Sequence, residues 1–460
     1  MTQLDVPQTV QTEESVLENP RIAALVEETK KKGVLAEILG EQHTTQGFGS
    51  AEDLAAAFQG ELTELPPEQV EMLVQAAKRQ YTKEIEEAGI TDADLIRIFQ
   101  KVWIYSRLTN PTNELLEEVI SLIEGYEKSA TFASGLAAIN AITDQFTASA
   151  CQGESGEYIE GGTIVVIGSI YGGTYAQMEH RAKKMGKKVV YMSITEFLEK
   201  GLPEETKLVF FESCNNPTLK VMPINEIVKE AKRVGALTIG DNTFSPLSVC
   251  LEKLGVDISV VSMTKYFNGK SEDLGGSVSG KAELIDPLLN LHEGNRMLEG
   301  GNMAPRVARE FIKNLADLPQ RLYRATQNAR GLMQLAQEFG IKVRSMETDS
   351  TFQNIRNKDI PSDITNGMVA MYFDSQEDAR FFVNSMISAG IGKGAVSLGC
   401  QTTYYSIPAE TTHSEMPEDE KKKVGITPGL VRVSCGTEPD LVEKMREVLE
   451  QIRAKKESLV

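Results

Sequence analysis

The chain has 460 residues, enough for two or three domains, and its 41% hydrophobic and 25% charged content is ordinary for a soluble globular protein. A formal net charge of -18 argues against a general nucleic-acid or anionic-membrane binder. The five scattered cysteines form no CxxC pair, which predicts a reducing, cytoplasmic location, and the four histidines lack metal-ligand spacing, so no metal site is expected. No signal peptide or membrane span is expected either.

The first 104 residues are predicted to form an N-terminal arm. Its mostly polar opening contains a helical pattern at Pro20–Leu39. At about 61–102 follows an acidic segment with apolar residues at three- and four-residue spacings. This segment is predicted to be a helical insertion of two helices, which are separated at Gly89 and of which the second is capped by Thr91.

Residues 105–308 are predicted to form a large α/β domain. Short apolar runs there alternate with helical patterns, as expected for a mainly parallel sheet. The predicted strands are Thr163–Ile167, Lys188–Met192, Leu208–Phe211, Ala236–Ile239 and Ile258–Val261. One or two long helices over Val307–Phe339 then lead into a smaller C-terminal α/β domain, predicted to cover 309–460 and to contain strands near Gly367–Phe373 and Val431–Cys435.

Four of the predicted strands run directly into unusually polar segments. Ligands of open α/β sheets bind beyond the carboxyl ends of the strands, so these segments are expected to face one crevice. The side chains delivered there are an amine, a carboxylate, a carboxamide, two hydroxyls and a phenol: Lys265, Asp241, Asn216, Ser262, Thr264 and Tyr171.

This set of side chains is suited to pyridoxal phosphate. A lysine such as Lys265 forms a Schiff base with an aldehyde cofactor, and a carboxylate such as Asp241 keeps the pyridinium nitrogen protonated by charge pairing. The Tyr171 ring could stack on the cofactor face. The small-residue loop at 133–138 opens a helix whose N–H groups can hold a phosphate. Further donors for the phosphate are two hydroxyls and a guanidinium: Ser262, Thr264 and Arg107.

Each of these residues taken alone has a plainer explanation. Asp241 followed by asparagine is usually a turn, and a single lysine such as Lys265 is usually solvated. Tyr171 alone would more often be a half-buried aromatic residue, and Arg432 alone would as often be a surface residue of a strand as a ligand-binding residue. The joint pattern at four strand ends favours the cofactor site.

The motifs at these positions resemble those of the Cys/Met-metabolism pyridoxal-phosphate enzymes, which include cystathionine γ-synthase, cystathionine γ-lyase, methionine γ-lyase and O-acetylhomoserine sulfhydrylase. The resemblance implies the type I, aspartate-aminotransferase-like α/β fold, with a large mainly parallel sheet domain and a smaller C-terminal α/β domain. The motifs follow the family order from residue 105 onwards: YSRLTNPT (105–112), ASGLAAI (133–139), IYGGTY (170–175), FESCNNPTLKV (211–221), DNTFSP (241–246), SMTKYFNG (262–269), VSLG (396–399), PAETTHSEM (408–416) and GLVRVSCGTE (429–438).

The resemblance implies a role in cofactor binding for most of these positions. Lys265 would hold the cofactor covalently and shuttle protons, Asp241 would pair with the pyridinium nitrogen, and Tyr171 would stack on the ring and assist the leaving group. Asn216 would contact the ring hydroxyl. The phosphate would be held by four residues: Gly135, Leu136, Ser262 and Thr264.

The resemblance also implies a shared active site. Tyr105 and Arg107 would reach the phosphate of the neighbouring subunit's cofactor, which makes a homodimer the minimum working unit and a homotetramer the usual assembly. Arg432 would bind the α-carboxylate of the substrate as a bidentate fork, with Ser397 and Asn216 nearby.

The predicted activity is γ-replacement on an activated homoserine, as in O-acetylhomoserine sulfhydrylase or cystathionine γ-synthase. Gly173 stands where methionine γ-lyases typically carry cysteine, and YGGTY with TTHSEM is most similar to the O-acetylhomoserine sulfhydrylase branch. One alternative is a γ-eliminating lyase that converts methionine, homocysteine or cystathionine into a 2-oxo acid, ammonia and a thiol. The other is an inactive scaffold paralogue with a partner surface at 61–102, against which the intact Lys265 argues.

Overall fold

The computed structural model describes residues 11–40, 50–59, 63–149, 151–152, 158–414, 418, 421–422 and 425–457. No helix among them is both long and apolar enough to cross a membrane. The described part of the N-terminal arm is helical: α1 (Glu13–Leu17), α2 (Pro20–Leu39), α3 (Ala51–Gln59), α4 (Pro67–Gln80), α5 (Thr82–Glu87) and α6 (Asp92–Gln100).

The helical insertion contains three helices, so the prediction of two is wrong. Tyr81 adopts φ −122° and ψ 33°, which ends α4 and separates it from α5. The predicted break and cap are confirmed: Gly89 has φ 62°, and the Thr91 hydroxyl accepts from Asp94 N while the Asp94 carboxylate accepts from Thr91 N. The first two residues of the predicted insertion, 61–62, lie outside the described part of the chain.

Ion pairs attach the insertion to the large domain. Arg97 of α6 donates to both carboxylate oxygens of Glu118, at 2.6 and 3.3 Å, and Lys32 of α2 pairs with the same carboxylate. Lys101 pairs with Glu114 at 2.6 Å. The insertion therefore packs against the helix Pro111–Glu124 of the large domain, which carries both glutamates.

The large domain is built around a seven-stranded sheet in the order β1-β9-β8-β7-β6-β4-β5. Six strands run in one direction and β9 runs against them, which confirms the predicted mainly parallel sheet. Its strands, and the separate hairpin β2–β3, are β1 (Lys128–Phe132), β2 (Cys151–Gln152), β3 (Tyr158–Ile159), β4 (Thr163–Ile167), β5 (Lys188–Met192), β6 (Thr206–Glu212), β7 (Leu237–Asp241), β8 (Ile258–Val261) and β9 (Gly276–Gly280).

Helices cover both faces of this sheet, because the strands are apolar on both sides. In β4, Val165 and Ile167 belong to one apolar cluster while Ile164 and Val166 belong to another. The helices of the domain are α7 (Pro111–Glu124), α8 (Gly135–Phe146), α9 (Gly172–Met185), α10 (Ile194–Lys200), α11 (Ile224–Val234), α12 (Ala282–Leu289) and α13 (Asn295–Glu299).

The two strands β1 and β9 were not predicted, because their sequences KSATF and GSVSG lack an apolar run. At position 276 of β9 there is no room for a side chain. A Cβ atom at Gly276 would lie 2.3 Å from the backbone oxygen of Ser134, so only glycine lets the sheet approach the start of α8.

The C-terminal part contains a second sheet of five strands in the order β10-β11-β14-β13-β12, antiparallel except for the β13–β12 pair. These strands are β10 (Lys342–Arg344), β11 (Met368–Tyr372), β12 (Lys393–Gly394), β13 (Tyr404–Ser406) and β14 (Leu430–Ser434). The accompanying helices are α14 (Pro305–Leu315), α15 (Leu318–Glu338), α16 (Ser350–Ile355), α17 (Gln376–Ser388) and α18 (Leu441–Glu457).

Candidate active site

A cavity of about 240 Å³ lies at the carboxyl edge of the large sheet, where β4, β6, β7 and β8 end. It contains eight of the predicted cofactor-binding residues: Gly135, Leu136, Tyr171, Asn216, Asp241, Ser262, Thr264 and Lys265. The remaining lining residues are Ser134, Ile139, Thr174, Glu212, Cys214, Thr243, Phe244, Val260, Leu274, Val396, Leu398 and Thr412. Because parallel strands place their carboxyl ends at one edge, residues from distant motifs meet here.

Lys265 lies in the turn after β8 and lines the cavity. Its Nζ donates to the Ser397 hydroxyl at 3.2 Å, which brings a predicted substrate-binding residue to the amine. Burial lowers the pKa of the Lys265 amine, and the positive charge of Arg432 lowers it further. A lowered pKa increases the fraction of uncharged amine, the form that attacks a carbonyl carbon.

Asp241 is the last residue of β7. Its Oδ1 accepts from Thr243 N at 2.9 Å, and the Thr243 hydroxyl in turn accepts from Ser262 N at 2.8 Å. Burial raises the pKa of Asp241, an effect opposed by hydrogen bonds from Thr243. Thr243 thus links the end of β7 to the turn after β8. Sequence reasoning did not select it, although it stands two residues after the aspartate.

Tyr171 immediately precedes α9, and its side chain is 48% exposed at the cavity. The ring lies against Gly173, where a Cβ atom would be 2.5 Å from Tyr171 Cε1. Its backbone N–H donates to Oε1 of Glu212 at 2.5 Å. Glu212 was missed among the predicted site residues, although it stands directly at the end of a predicted strand.

The predicted phosphate side of the cavity lies at the start of α8. The first N–H groups of a helix have no acceptor within it, and Gly135 and Leu136 open this helix. A Cβ atom at Gly135 would lie 2.9 Å from Ser262 Cβ, so a glycine lets the two segments meet. The Thr264 hydroxyl accepts from Gly275 N at 3.1 Å and lies 3.3 Å from Gly275 O.

Arg432 of β14 is 1% exposed and connects the two domains at the site. Its Nη1 donates to Asn216 Oδ1 at 3.0 Å, and its Nη2 donates to the backbone oxygens of Val396 and Ser397 at 3.1 and 3.0 Å. Its Nε has no hydrogen-bond partner within the described ranges. Burial lowers the pKa of Arg432 to about 10, so the guanidinium remains charged at neutral pH.

Tyr105 and Arg107 do not line this cavity, unlike the other predicted cofactor residues. Arg107 Nη1 donates to the backbone oxygen of Met297 at 3.4 Å, and its guanidinium lies 5.6 Å from the centre of the Tyr105 ring. Tyr105 is 40% exposed. Their contact with a neighbouring subunit's cofactor stays a prediction.

The donor set fits pyridoxal phosphate. An amine of lowered pKa, a half-buried carboxylate and a helix N-terminus lie around one cavity, and they match the aldehyde, the ring nitrogen and the phosphate of that cofactor. Thr174 Oγ1, a buried hydroxyl of the lining, has no hydrogen-bond partner in the part of the chain that the structure describes. The fold and the cavity thus define the class of protein, a pyridoxal-phosphate-dependent enzyme.

Comparisons with known proteins give the family. The sequence model of one protein family, described as Cys/Met metabolism PLP-dependent enzyme, matches residues 80–450 of this chain. The chain therefore belongs to the Cys/Met-metabolism PLP-dependent enzymes, which confirms the family inferred from the motifs.

Three relatives illustrate the range of activities in this family. A methionine gamma-lyase from Arabidopsis thaliana is 30% identical over 354 residues, covering 74% of this chain and 77% of its own length. A cystathionine gamma synthase from Xanthomonas oryzae, solved with cystathionine, has a TM-score of 0.68 and 26% identity, covering 77% and 89% of the two chains. A Campylobacter jejuni structure assigned as an O-acetylhomoserine (thiol)-lyase contains a pyridoxyl-lysine phosphate and has a TM-score of 0.68 and 25% identity, covering 89% and 94%.

Proposed function

We propose that this enzyme catalyses γ-replacement on an activated homoserine, in which an uncharged γ-substituent such as an acetyloxy group leaves as acetate and a sulfur nucleophile bonds to the γ-carbon in its place. The proposal rests on the contrast between the two parts of the cavity lining. The carboxyl and amino groups of the lining come from the ends of β6 and β7 and from the turn after β8: Glu212, Asp241 and Lys265. Other lining positions are apolar: Ile139, Phe244, Val260, Leu274, Val396 and Leu398.

This contrast favours an acetyl ester over a succinyl ester. A carboxylate at the end of the γ-substituent would have to lose water beside the buried apolar side chains of the lining, such as Phe244 and Leu398, which costs several kcal/mol unless a cation pairs with it. The buried cation near the cavity, Arg432, is the candidate for the α-carboxylate. An acetyl group carries no such charge and can be buried against the apolar wall at little cost.

The protein's own residues would divide the chemistry among them. When bound, pyridoxal phosphate supplies an electron sink that stabilises negative charge at the substrate α-carbon. Arg432 would orient the substrate by its α-carboxylate. Lys265, whose amine pKa is lowered, would accept the α-proton and return a proton later. Tyr171, exposed at the mouth of the cavity, would assist departure of the γ-substituent.

A second candidate activity is γ-elimination that yields a 2-oxo acid, ammonia and a thiol. It is favoured by the 30% identity with the Arabidopsis thaliana methionine gamma-lyase. The two activities share the steps up to loss of the γ-substituent. They differ in whether a sulfur nucleophile adds before the product leaves.

We also propose that the enzyme works as a homo-oligomer in the cytoplasm. Arg107 supports the first part, because it is predicted to bind a cofactor phosphate and yet does not line the cavity of its own subunit. In a homodimer or homotetramer it could serve the neighbouring subunit's cavity. Sedimentation of the loaded enzyme would test this, and a monomer with full activity would refute it.

A substrate panel tests the proposed reaction. The loaded enzyme would be given O-acetylhomoserine, O-succinylhomoserine, cystathionine, methionine or homocysteine, each with and without sulfide, and the thiol and 2-oxobutyrate products would be measured. We expect O-acetylhomoserine with sulfide to give the highest kcat/KM. Faster 2-oxobutyrate release from methionine would support the lyase instead. Lys265→Ala serves as the control and should abolish every turnover.

A further inference from the structure

Glu212 is a buried carboxyl group of the cavity to which neither the motifs nor the comparisons give a role. It ends β6, is 5% exposed, and pairs with Asp241 in the register of β6 and β7. Burial raises its pKa well above the usual value, and the nearby Asp241 charge raises it further. Burying a second carboxyl group beside Asp241 lowers the stability of the folded state, so the position of Glu212 needs an explanation.

The hydrogen bonds of Glu212 provide that explanation. Its Oε1 accepts from the backbone N–H of Tyr171 at 2.5 Å, and its Oε2 accepts from the backbone N–H of Asn216 at 3.4 Å. One carboxyl group thus connects the segment after β4 with the segment after β6. Asn215 Nδ2 also donates to the backbone oxygen of Ser169, so the two segments are linked side by side.

Both segments carry residues of the site. Tyr171 lies at the cavity mouth immediately before α9, and no side chain caps this 14-residue helix from the Tyr171 position. Asn216 receives the hydrogen bond from buried Arg432. A displacement of the Glu212 side chain would therefore move Tyr171, the residue predicted to stack on the cofactor ring. It would also move Asn216, which accepts a hydrogen bond from Arg432.

We propose that Glu212 is a positioning residue that holds Tyr171 at the cofactor ring and Asn216 against Arg432 through two backbone N–H groups. Only the kinetic test of this proposal rests on the proposed function. Glutamine has a single side-chain oxygen, and its NH₂ group cannot accept from an N–H group, so Glu212→Gln loses one of the two bonds. Aspartate is shorter by one methylene, so it cannot reach both segments from the same strand position.

The first readout needs no substrate. Visible circular dichroism of the bound cofactor reports the asymmetry of its surroundings, and we expect Glu212→Gln to change that band while the protein retains its cofactor. Glu226→Gln, at an exposed position in α11, is the matched control and should leave the band unchanged. A folded, loaded Glu212→Gln protein with the wild-type band would overturn the proposal. If Glu212→Gln does not fold, Glu212→Asp is measured in the same way.

The second readout is a double-mutant cycle on turnover. Misplacement of a catalytic group by about 1 Å can cost roughly 100-fold, so we expect kcat of Glu212→Gln to fall by about 10- to 100-fold. In a Tyr171→Phe background the same substitution should have a smaller effect, because part of its action passes through the tyrosine hydroxyl. Fully additive effects would overturn the proposal. If the wild-type enzyme turns over none of the panel, the proposed function fails, while the spectroscopic readout still decides the role of Glu212.

Discussion

Glu124 offers a test of buried electrostatics behind the active site. It is the last residue of α7 and is 1% exposed. Its Oε2 accepts from Ser259 Oγ at 2.6 Å and from Asn242 Nδ2 at 3.2 Å, whereas Oε1 and Asn242 Oδ1 have no partner among the residues that the structure describes. We predict that the free energy of unfolding of Glu124→Gln, relative to that of the wild type, is higher at pH 8 than at pH 4.

The magnitude follows from the pKa of the carboxyl group. Burial raises the pKa of Glu124 from its usual 4.5 to about 7, hydrogen bonds from Ser259 and Asn242 oppose the rise, and the Asp241 charge adds to it. Because the folded state holds this proton more tightly than the unfolded state, the free energy of unfolding falls as pH rises from 4.5 to 7. A shift of about 2.5 units corresponds to about 3 kcal/mol.

The assay compares two proteins across pH. Glutamine cannot ionise, so its side chain adds no pH dependence to the free energy of unfolding. The other titrating groups contribute equally to both proteins and largely cancel when the two free energies are subtracted. Urea unfolding of the loaded enzyme at pH 4, 5, 6, 7 and 8 would give that difference. We expect it to move in favour of Glu124→Gln by about 3 kcal/mol across this range. A difference that does not vary with pH would refute the burial of an ionisable Glu124.

Three further substitutions test other parts of the structure. Gly173→Ala places a Cβ atom 2.5 Å from Tyr171 Cε1, so the ring must move, and we expect a lower kcat at an unchanged melting temperature; a wild-type kcat would contradict this. Arg107→Ala should weaken cofactor binding by about 10-fold or more in titrations of the apoenzyme, since charged hydrogen bonds contribute about 1.5–3 kcal/mol, and an unchanged dissociation constant would exclude the predicted phosphate contact. Asp363→Ala removes a fully buried partner of Arg330, which keeps its ion pair with Glu347, and should cost about 2 kcal/mol of unfolding free energy; an unchanged free energy of unfolding would count against the pair.

The strand ends explain why much of the site could be predicted. Lys265 and Asp241 each follow a short apolar run that is a strand in the structure, and the structure places both residues in one cavity. This inference needs only the local pattern and the rule that ligands bind beyond the carboxyl ends of parallel strands. The strand β9 escaped prediction because glycine and serine replace the apolar run there, and at Gly276 the absence of a side chain is demanded by contact with the start of α8.

Other contacts depend on the packing of the sheets and domains. Arg432 reaches Asn216 across 216 positions of sequence, and Ser397 reaches Lys265 across 132. A periodic pattern describes how one segment buries its own apolar face and carries no information about which distant segment will pack against it. Family resemblance could suggest these residues as partners of a substrate, but their mutual hydrogen bonds emerge only when both domains are folded together.

The sequence by itself determined the class of chemistry, because strand-end residues such as Lys265 and Asp241 occur in an order that matches one enzyme family. Only the tertiary structure decided how those residues are held. Glu212 and Thr243 connect neighbouring strand ends through backbone N–H groups. Such bonds depend on which strands are adjacent in the sheet, and adjacency is set by the packing of the whole domain rather than by any local run of residues.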